Sequence, residues 1–411
     1  MLKVYFKRWL FLFLIIIANL LIALQTSIEF FALFFWFLIS LVFVSLIWIA
    51  IGYLGINLSL ARRTTTKLEE DDTVEIETIV SNKSLLPIFN FVLEDHLTCA
   101  APGERERRFI LEYIGPRSTA SLKYRCQCPL RGRYEIGPIH IYIFDPWGLF
   151  FLKKTFFLYS ELYVYPRTFN ISKFPPLTKG TAPWFGIETG RVSGDDHEFY
   201  GIREYKPGDP IKRIHWLSSA RKNKLIVKQF QHQVFFRATI IFNLNKERNY
   251  GEGKESVAEY IIKIAASVAK YFIERNVSVE VIAHIGETVY IPFNKGPEHL
   301  EDVLKLLTIA KAESMVSLNE LFQEFSSYIP NDSSLIVIMP DEDWEFLSAM
   351  MSLKVRNVSL LPLILNSSSF LRSPDKQGII ESPAFKSSQA FDSAPIFFAR
   401  GDNLEHNFLK Y

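Results

Sequence analysis

Residues Asp195–Phe230 read DDHEFYGIREYKPGDPIKRIHWLSSARKNKLIVKQF, and the hydrophobic pattern of the chain changes across them. Before this stretch, apolar residues recur at period two; after it, buried-strand runs alternate with helical stripes. Within it, Lys206-Pro207-Gly208-Asp209 suits a type II turn, with proline fixing φ and glycine supplying φ > 0. Asp209 then stands where an N-cap belongs, and Pro210 at the first helical position needs no donor. The pattern predicts a helix from Pro210 to about Arg221, with Lys212, Trp216 and Ala220 on one face and Ile211, Ile214 and Ser218 on another. Leu225, Ile226 and Val227 read as a strand. Such a unit would hold Arg203, Asp209, Arg213 and Arg221 in fixed positions.

The run Arg203-Glu204-Tyr205, Pro207-Gly208-Asp209, Arg213-Ile214-His215-Trp216 and Ala220-Arg221 resembles, in order and spacing, the signature of the domain of unknown function 58 family. The resemblance implies a second half similar to a von Willebrand factor A domain. It implies a bacterial or archaeal protein, often membrane-anchored and often encoded beside MoxR-type AAA+ ATPases and transglutaminase-like proteins. It names no reaction.

Working outward, the amino-terminal side is apolar. Hydrophobic residues make up 49% of the 411-residue chain, and 36 residues are Phe. Trp9–Leu24 is one uncharged run and Phe30–Leu54 a second, against the ~20 residues needed to cross a bilayer core. A signal peptide would need a small-residue cleavage site, and a second apolar run follows at once. The expectation is a transmembrane hairpin over residues 1–57, connected through Gln25–Glu29. Lys3, Lys7 and Arg8 precede it, Arg62, Arg63 and Lys67 follow it, and the connector has no Lys or Arg. The positive-inside rule then puts both ends in the cytoplasm of a multi-pass inner-membrane protein. Three cysteines, Cys99, Cys126 and Cys128, are too few for a disulfide framework. The close pair Cys126 and Cys128 reads as same-face residues of one strand.

Residues 64–170 carry short alternating runs: Thr73–Val80, Ile88–Leu93, Arg108–Tyr113, Ala120–Cys128 and Ile139–Phe144. In the first, Val74, Ile76 and Thr78 face one way and Glu75 and Glu77 the other. Strands separated by turns predict an immunoglobulin-like β-sandwich without the Cys-Trp-Cys pattern of antibody domains. Asp145-Pro146-Trp147-Gly148 reads as a turn packed down by Trp147 and the following Phe pair. Phe174–Gly194 reads as an irregular connection to the signature segment, residues 195–236.

Residues 237–411 alternate strand and helix. Strands are expected at Ala238–Leu244, Val277–Ile282, Val289–Pro292, Leu335–Met339 and Val358–Leu365. Helices are expected at Glu255–Glu274, Pro297–Ala310, Leu318–Tyr328 and Asp341–Leu353. This predicts a doubly wound α/β sheet, in agreement with the von Willebrand A-like half. Asn366–Pro395 reads as a mobile serine-rich loop, followed by a strand at Ile396–Arg400 and a helix at Asn403–Leu409.

Three chemistries bear on these residues. Von Willebrand A domains end a strand in Asp-x-Ser-x-Ser, whose oxygens hold Mg²⁺. Here Asn243-Leu244-Asn245 stands instead, with Lys246 beside it, so Asn243, Asn245 and Asp341 are weak metal candidates. Asp195, Asp196, His197, Glu198, Asp209 and His215 could serve acid–base chemistry. Arg203, Arg213 and Arg221 lie among these acids, which favours an ion-pair network. Arg221, Lys222, Lys224 and Lys228 near Trp216 could meet phosphate, but acids are interleaved and the net charge is only +2, so nucleic acid is not expected.

The expected function is a membrane-anchored scaffold or assembly factor, without cofactor, whose partner is a MoxR-type AAA+ ATPase. Its interaction residues would be Arg203, Tyr205, Pro207, Gly208, Asp209, Arg213, His215, Trp216 and Arg221. The alternative is a hydrolase-like enzyme using Asp209 and His215.

Overall fold

The computed structural model describes residues 2–26, 28–172, 174–175, 192–207, 209, 211–232, 237–331, 333–343, 346–356, 358–371 and 395–409. Side chains are described for these except at 2–9, 192–200, 229–232 and 354. The chain divides into two compact units, Met1–Tyr165 and Pro166–Tyr411.

The first unit opens with helices α1 (Leu2–Gln25) and α2 (Glu29–Gly55). α2 is long and apolar enough to cross a membrane; the apolar described part of α1, Leu10–Gln25, is shorter. Then come β1 (Leu58–Thr64), β2 (Lys67–Glu69), β3 (Thr73–Asn82), β4 (Ile88–Leu97) and β5 (Glu106–Ile114). They are followed by β6 (Thr119–Gln127), β7 (Gly132–Phe144), β8 (Phe151–Phe156) and β9 (Ser160–Tyr165). One sheet runs β1-β3-β6; the other runs β2-β9-β7-β4-β5, with β8 also on β7. Val74, Ile76 and Thr78 of β3 are buried, as their alternation requires.

Buried apolar residues of both sheets form shared clusters. In one of them Cys99 joins Cys126 and Cys128, and all three thiols are free and buried. The two sheets are also tied by charge. Arg62 Nη2 lies 2.5 Å from Asp95 Oδ1, both side chains being 0% exposed. Arg62 Nη1 donates to the carbonyl oxygens of Ile136 (2.6 Å) and Leu158 (3.2 Å), and the Tyr124 hydroxyl donates to the other Asp95 oxygen. Burial pushes the Asp95 carboxyl up, against the pull of Arg62. Arg62, counted on the flank after the second apolar run, belongs to β1 and to this buried network, whereas Arg63 is exposed. The turn after β7 is corrected too. Trp147 is 49% exposed, and Asp145 does the pinning. Its carboxylate accepts from the N–H groups of Trp147 (3.1 Å) and Phe150 (2.7 Å) and from the Ser45 hydroxyl of α2 (3.0 Å).

The second unit begins with a short extended segment whose Phe174 is buried against Tyr271, Phe272 and Phe408. The irregular connection therefore starts as part of a core. It also ends in a strand, β10 (Val192–Glu204), while residues 176–191 lie outside the described ones. Next come α3 (Trp216–Lys222), β11 (Ile226–His232), β12 (Arg237–Asn243), α4 (Val257–Glu274), β13 (Ser278–His284) and β14 (Thr288–Asn294). α5 (Pro297–Ile309), α6 (Leu318–Phe325), β15 (Ser334–Pro340), α7 (Phe346–Met350), β16 (Ser359–Leu365), β17 (Ile396–Phe398) and α8 (Leu404–Leu409) complete it.

The main sheet runs β14-β13-β12-β15-β16-β17, parallel except for β14. Counted from β12, this is the order 3-2-1-4-5-6 of a doubly wound sheet. Along β12, Ile240 and Phe242 enter the core that holds α4 and part of α5, and Ile241 enters the core that holds α6 and α7. Helices thus cover both faces, which is why these strands read as unbroken apolar runs. The Ser256 hydroxyl caps α4 by accepting from Glu259 N–H; Val257, Ile261, Ile264, Ala265, Val268 and Phe272 are buried, and so are eight further residues of the helix, Tyr260 and Ile262 among them.

Two expectations need correction here. Asp341–Leu353 is not one helix: Asp341–Asp343 and Met351–Arg356 are 3-10 turns on either side of α7. The Asp341 carboxylate turns away to accept from Ser367 N–H (3.0 Å), and Asp343 turns to Arg248. The serine-rich loop is not loop from its start, since Ser367–Phe370 forms a 3-10 turn with Phe370 buried. Residues 372–394 lie outside the described ones.

Candidate functional site

The signature segment is an antiparallel pair, β10 and β11, closed by a compact turn-and-helix unit. The register slips between Gly194 and Phe199, both of which face Phe230, so Asp195–Glu198 sit at an irregularity in the ladder. Their side chains lie outside the described residues.

The turn forms as read: Asp209 N–H donates to the Lys206 carbonyl oxygen at 3.0 Å. Gly208 and Pro210 lie outside the described residues, so the turn type and the proline position do too. Asp209 itself is corrected. Its carboxylate reaches back rather than capping α3, whose N-cap is His215. Oδ1 and Oδ2 each accept from Arg203, both at 2.6 Å, and Oδ2 also accepts from Lys206 N–H at 2.9 Å. The Arg203 guanidinium, then the Lys206 amide, hold the Asp209 carboxyl below its ordinary range. A bidentate guanidinium–carboxylate pair fixes direction as well as distance.

The expected helix from Pro210 is interrupted. Ile211–Arg213 is a 3-10 turn, Ile214 forms an isolated bridge to Val227, and α3 begins only at Trp216. Pairing with β11 is the cause: His215 N–H donates to the Ile226 carbonyl oxygen at 2.7 Å, so the backbone leaves helical geometry there. The predicted division into two faces of one helix therefore does not apply. Ser219, which the sequence reading passed over, locks the junction. Its hydroxyl donates to the His215 carbonyl oxygen (3.0 Å) and accepts from Ile226 N–H (2.9 Å). A buried serine one helical turn after an N-cap is a local signal that could have marked it.

His215 Nδ1 lies 2.6 Å from the Ser218 hydroxyl. Asp209 pairs with Arg203 and His215 with Ser218, so the acid and base of the hydrolase-like alternative are engaged with different groups. Tyr205 N–H donates to the Leu225 carbonyl oxygen, and Glu204 pairs with Lys224 at 3.0 Å. Pro207 and Arg221 are exposed, and Arg213 is half-buried. Three large apolar side chains of the unit point outward, Ile211 being 69%, Trp216 65% and Leu217 62% exposed, while Ile214, Ile226 and Val227 are buried.

The metal candidates lie at the β12/β15 switch point, where doubly wound sheets bind ligands. Asn243 Nδ2 donates to the Val316 carbonyl oxygen at 2.5 Å, and Asn245 Oδ1 accepts from Glu247 N–H. Arg248 pairs there with Asp343 and lies 3.9 Å from Glu342. Asn243, Asn245, Arg248 and Pro340 line a cavity of about 10 Å³, room for about one water. Among the described residues, no group of three or more His, Cys, Asp or Glu could hold a metal ion.

The signature unit and the first part of the sheet behind it match one family model. That model, "Protein of unknown function DUF58", covers residues 201–349. A curated relative, "Uncharacterized protein YeaD" of Bacillus subtilis (strain 168), is 23% identical over 267 residues, 63% of this chain and 64% of the relative. The chain thus spans just under two thirds of that relative's length. Among solved structures, the CARDB domain of the PF1109 protein from Pyrococcus furiosus is 14% identical. It covers 27% of this chain and 90% of its own, with a TM-score of 0.20. The Pseudomonas fluorescens alkylpurine DNA glycosylase AlkC is 8% identical, covers 28% of this chain and 32% of its own, and has a TM-score of 0.19. Scores this low define no shared fold.

Proposed function

We propose that this chain is a membrane-anchored scaffold or assembly factor whose signature unit is a protein-binding surface. The observation that carries the reading is the outward display of Ile211, Trp216 and Leu217 on a unit fixed by Arg203–Asp209 and Ser219. Large apolar side chains on a pre-organised base suit an interface, where tryptophan is enriched among energetically dominant residues. A catalytic unit would instead converge its polar groups on a substrate. The partner we propose is a MoxR-type AAA+ ATPase, as the family resemblance implies.

In this reading α1 and α2 form a transmembrane hairpin in the inner membrane, with both termini and the bulk of the chain in the cytoplasm. The β-domain is an immunoglobulin-like sandwich, and the 3-2-1-4-5-6 sheet is a von Willebrand A-like domain. The test is retention of a purified MoxR-type ATPase on the immobilised, detergent-solubilised chain. Trp216→Ala with Leu217→Ser should abolish retention while leaving the melting temperature unchanged, since both side chains are exposed. Undiminished retention by this variant would remove the signature surface from the interaction.

A further inference from the structure

We propose that the first unit holds one anionic phospholipid of the bilayer between the end of α2 and the β-domain. This rests on the reading of α2 as a membrane span.

The Ser45 hydroxyl bonds to Asp145 in the turn between β7 and β8, ten residues before α2 ends at Gly55. Ten residues of helix rise about 15 Å. The last turns of α2 therefore run beside the β-domain, and Glu29–Val44 spans only about 24 Å of a hydrocarbon core ~30 Å thick. The edge of the β-domain consequently reaches the lipid headgroup layer.

At that edge the packing of helix on sheet is incomplete. An apolar cavity of about 270 Å³ lies between Trp48, Gly52 and Ile56 of the helix end and Phe89, Ile143 and Leu152 of one sheet. Trp48 and Phe89 are both partly exposed at it. The volume is below the ~300–1,000 Å³ of sites that take a whole drug-sized ligand, and it suits a length of acyl chain.

A second cavity of about 80 Å³ shares Gly52, Ile56, Ile143 and Leu152, and adds Lys153 and Lys154. Lys154 Nζ lies 3.4 Å from the Ile56 carbonyl oxygen, at the end of the helix. Lys153 Nζ lies 5.5 Å from the centre of the Tyr142 ring. Trp48 stands about 12 Å nearer the bilayer centre than Ile56 along the helix axis. Apolar space above and the Lys154 ammonium below is the order of parts in a phospholipid of the adjacent leaflet, whereas Lys153, its neighbour on β8, turns to Tyr142 on the other face of the sheet. The Lys154 ammonium selects an anionic headgroup, as basic groups at a membrane surface do.

The test uses the full chain in mixed micelles with chain-matched phosphatidylglycerol or phosphatidylcholine, read by native mass spectrometry. Wild type should retain one phosphatidylglycerol per chain, and retain it about 5-fold better than phosphatidylcholine. Gly52→Leu should lose both lipids. A β-carbon at Gly52 meets only Ile56 Cδ1 at 3.5 Å, an ordinary contact, so the variant should fold with its cavity filled. Lys154→Gln should erase the preference between the lipids, and Lys153→Gln, on the other face of the sheet, should keep it. Equal retention of the two lipids by wild type, or undiminished retention by Gly52→Leu, would overturn the proposal. So would a lipid-free dimer as the retained species. Alkaline extraction of membranes separates this from the anchoring reading: a chain that stays in the pellet without lipid preference sinks the lipid site alone, whereas release into the supernatant sinks both.

Discussion

Replacing Asp95 by Ala tests the charged tie between the two sheets of the first unit. Arg62 would keep its two carbonyl partners and lose its counter-charge, while the Tyr124 hydroxyl would lose its acceptor. Both charged side chains are fully buried, so solvent cannot take the place of the carboxylate. Breaking a buried pair from one side costs about 3–5 kcal/mol. An orphaned buried hydroxyl adds about 1–3 kcal/mol, less than additively because the groups share one network. The expected loss is about 4 kcal/mol, a large part of the stability of a single domain. Removing all three polar groups, with Arg62→Met, Asp95→Leu and Tyr124→Phe, leaves no stranded charge and should recover most of that loss. The assay is urea unfolding of the detergent-solubilised chain, scored by pulse proteolysis through an amino-terminal tag so that only the first unit is read. A loss below about 1 kcal/mol for Asp95→Ala would mean that water or another cation reaches Arg62, and the tie would be a surface pair.

Three further outcomes follow from the geometry. The Asp209 carboxyl is held below its ordinary value near 3.8, so its contribution to stability is present above that value and is lost as pH falls through the depressed one. The difference in melting temperature between wild type and Asp209→Asn should therefore shrink between pH 5 and strongly acidic solution; a constant difference would refute the pairing with Arg203. Millimolar Mg²⁺ should leave the melting of the chain unchanged, because Arg248 already supplies the positive charge beside Asp343; a shift abolished by Asp341→Ala would contradict this. A reporter active only outside the cytoplasm, fused after Tyr411, should stay silent, and a strong signal would reverse the orientation.

What the sequence made legible was whatever repeats. Helix α4, the unbroken runs of β12, β15 and β16, and the alternation of β3 all follow from periodicity, and they place the two folded units. What escaped was contact between distant residues. Arg62 reads as a membrane flank because it follows an apolar run; only the arrival of Asp95 from β4 and Tyr124 from β6 makes it an interior group. Trp216 reads as one position on a helical face, yet pairing of His215 with β11 restarts the helix there and leaves the indole outside. Likewise the Asp145 turn is legible as a turn, but its bond to Ser45, 100 residues earlier, has no local mark.

The switch point of the second unit has one further consequence. Arg248 is a cation attached to the chain, so its presence beside Asp343 and Glu342 is set when the polypeptide is made. A dissolved ion would come and go with its concentration, and a chelator could strip it. A tethered guanidinium has a stoichiometry of one in every medium. The positive charge beside Asp343 is therefore fixed by the sequence and does not vary with the supply of dissolved ions.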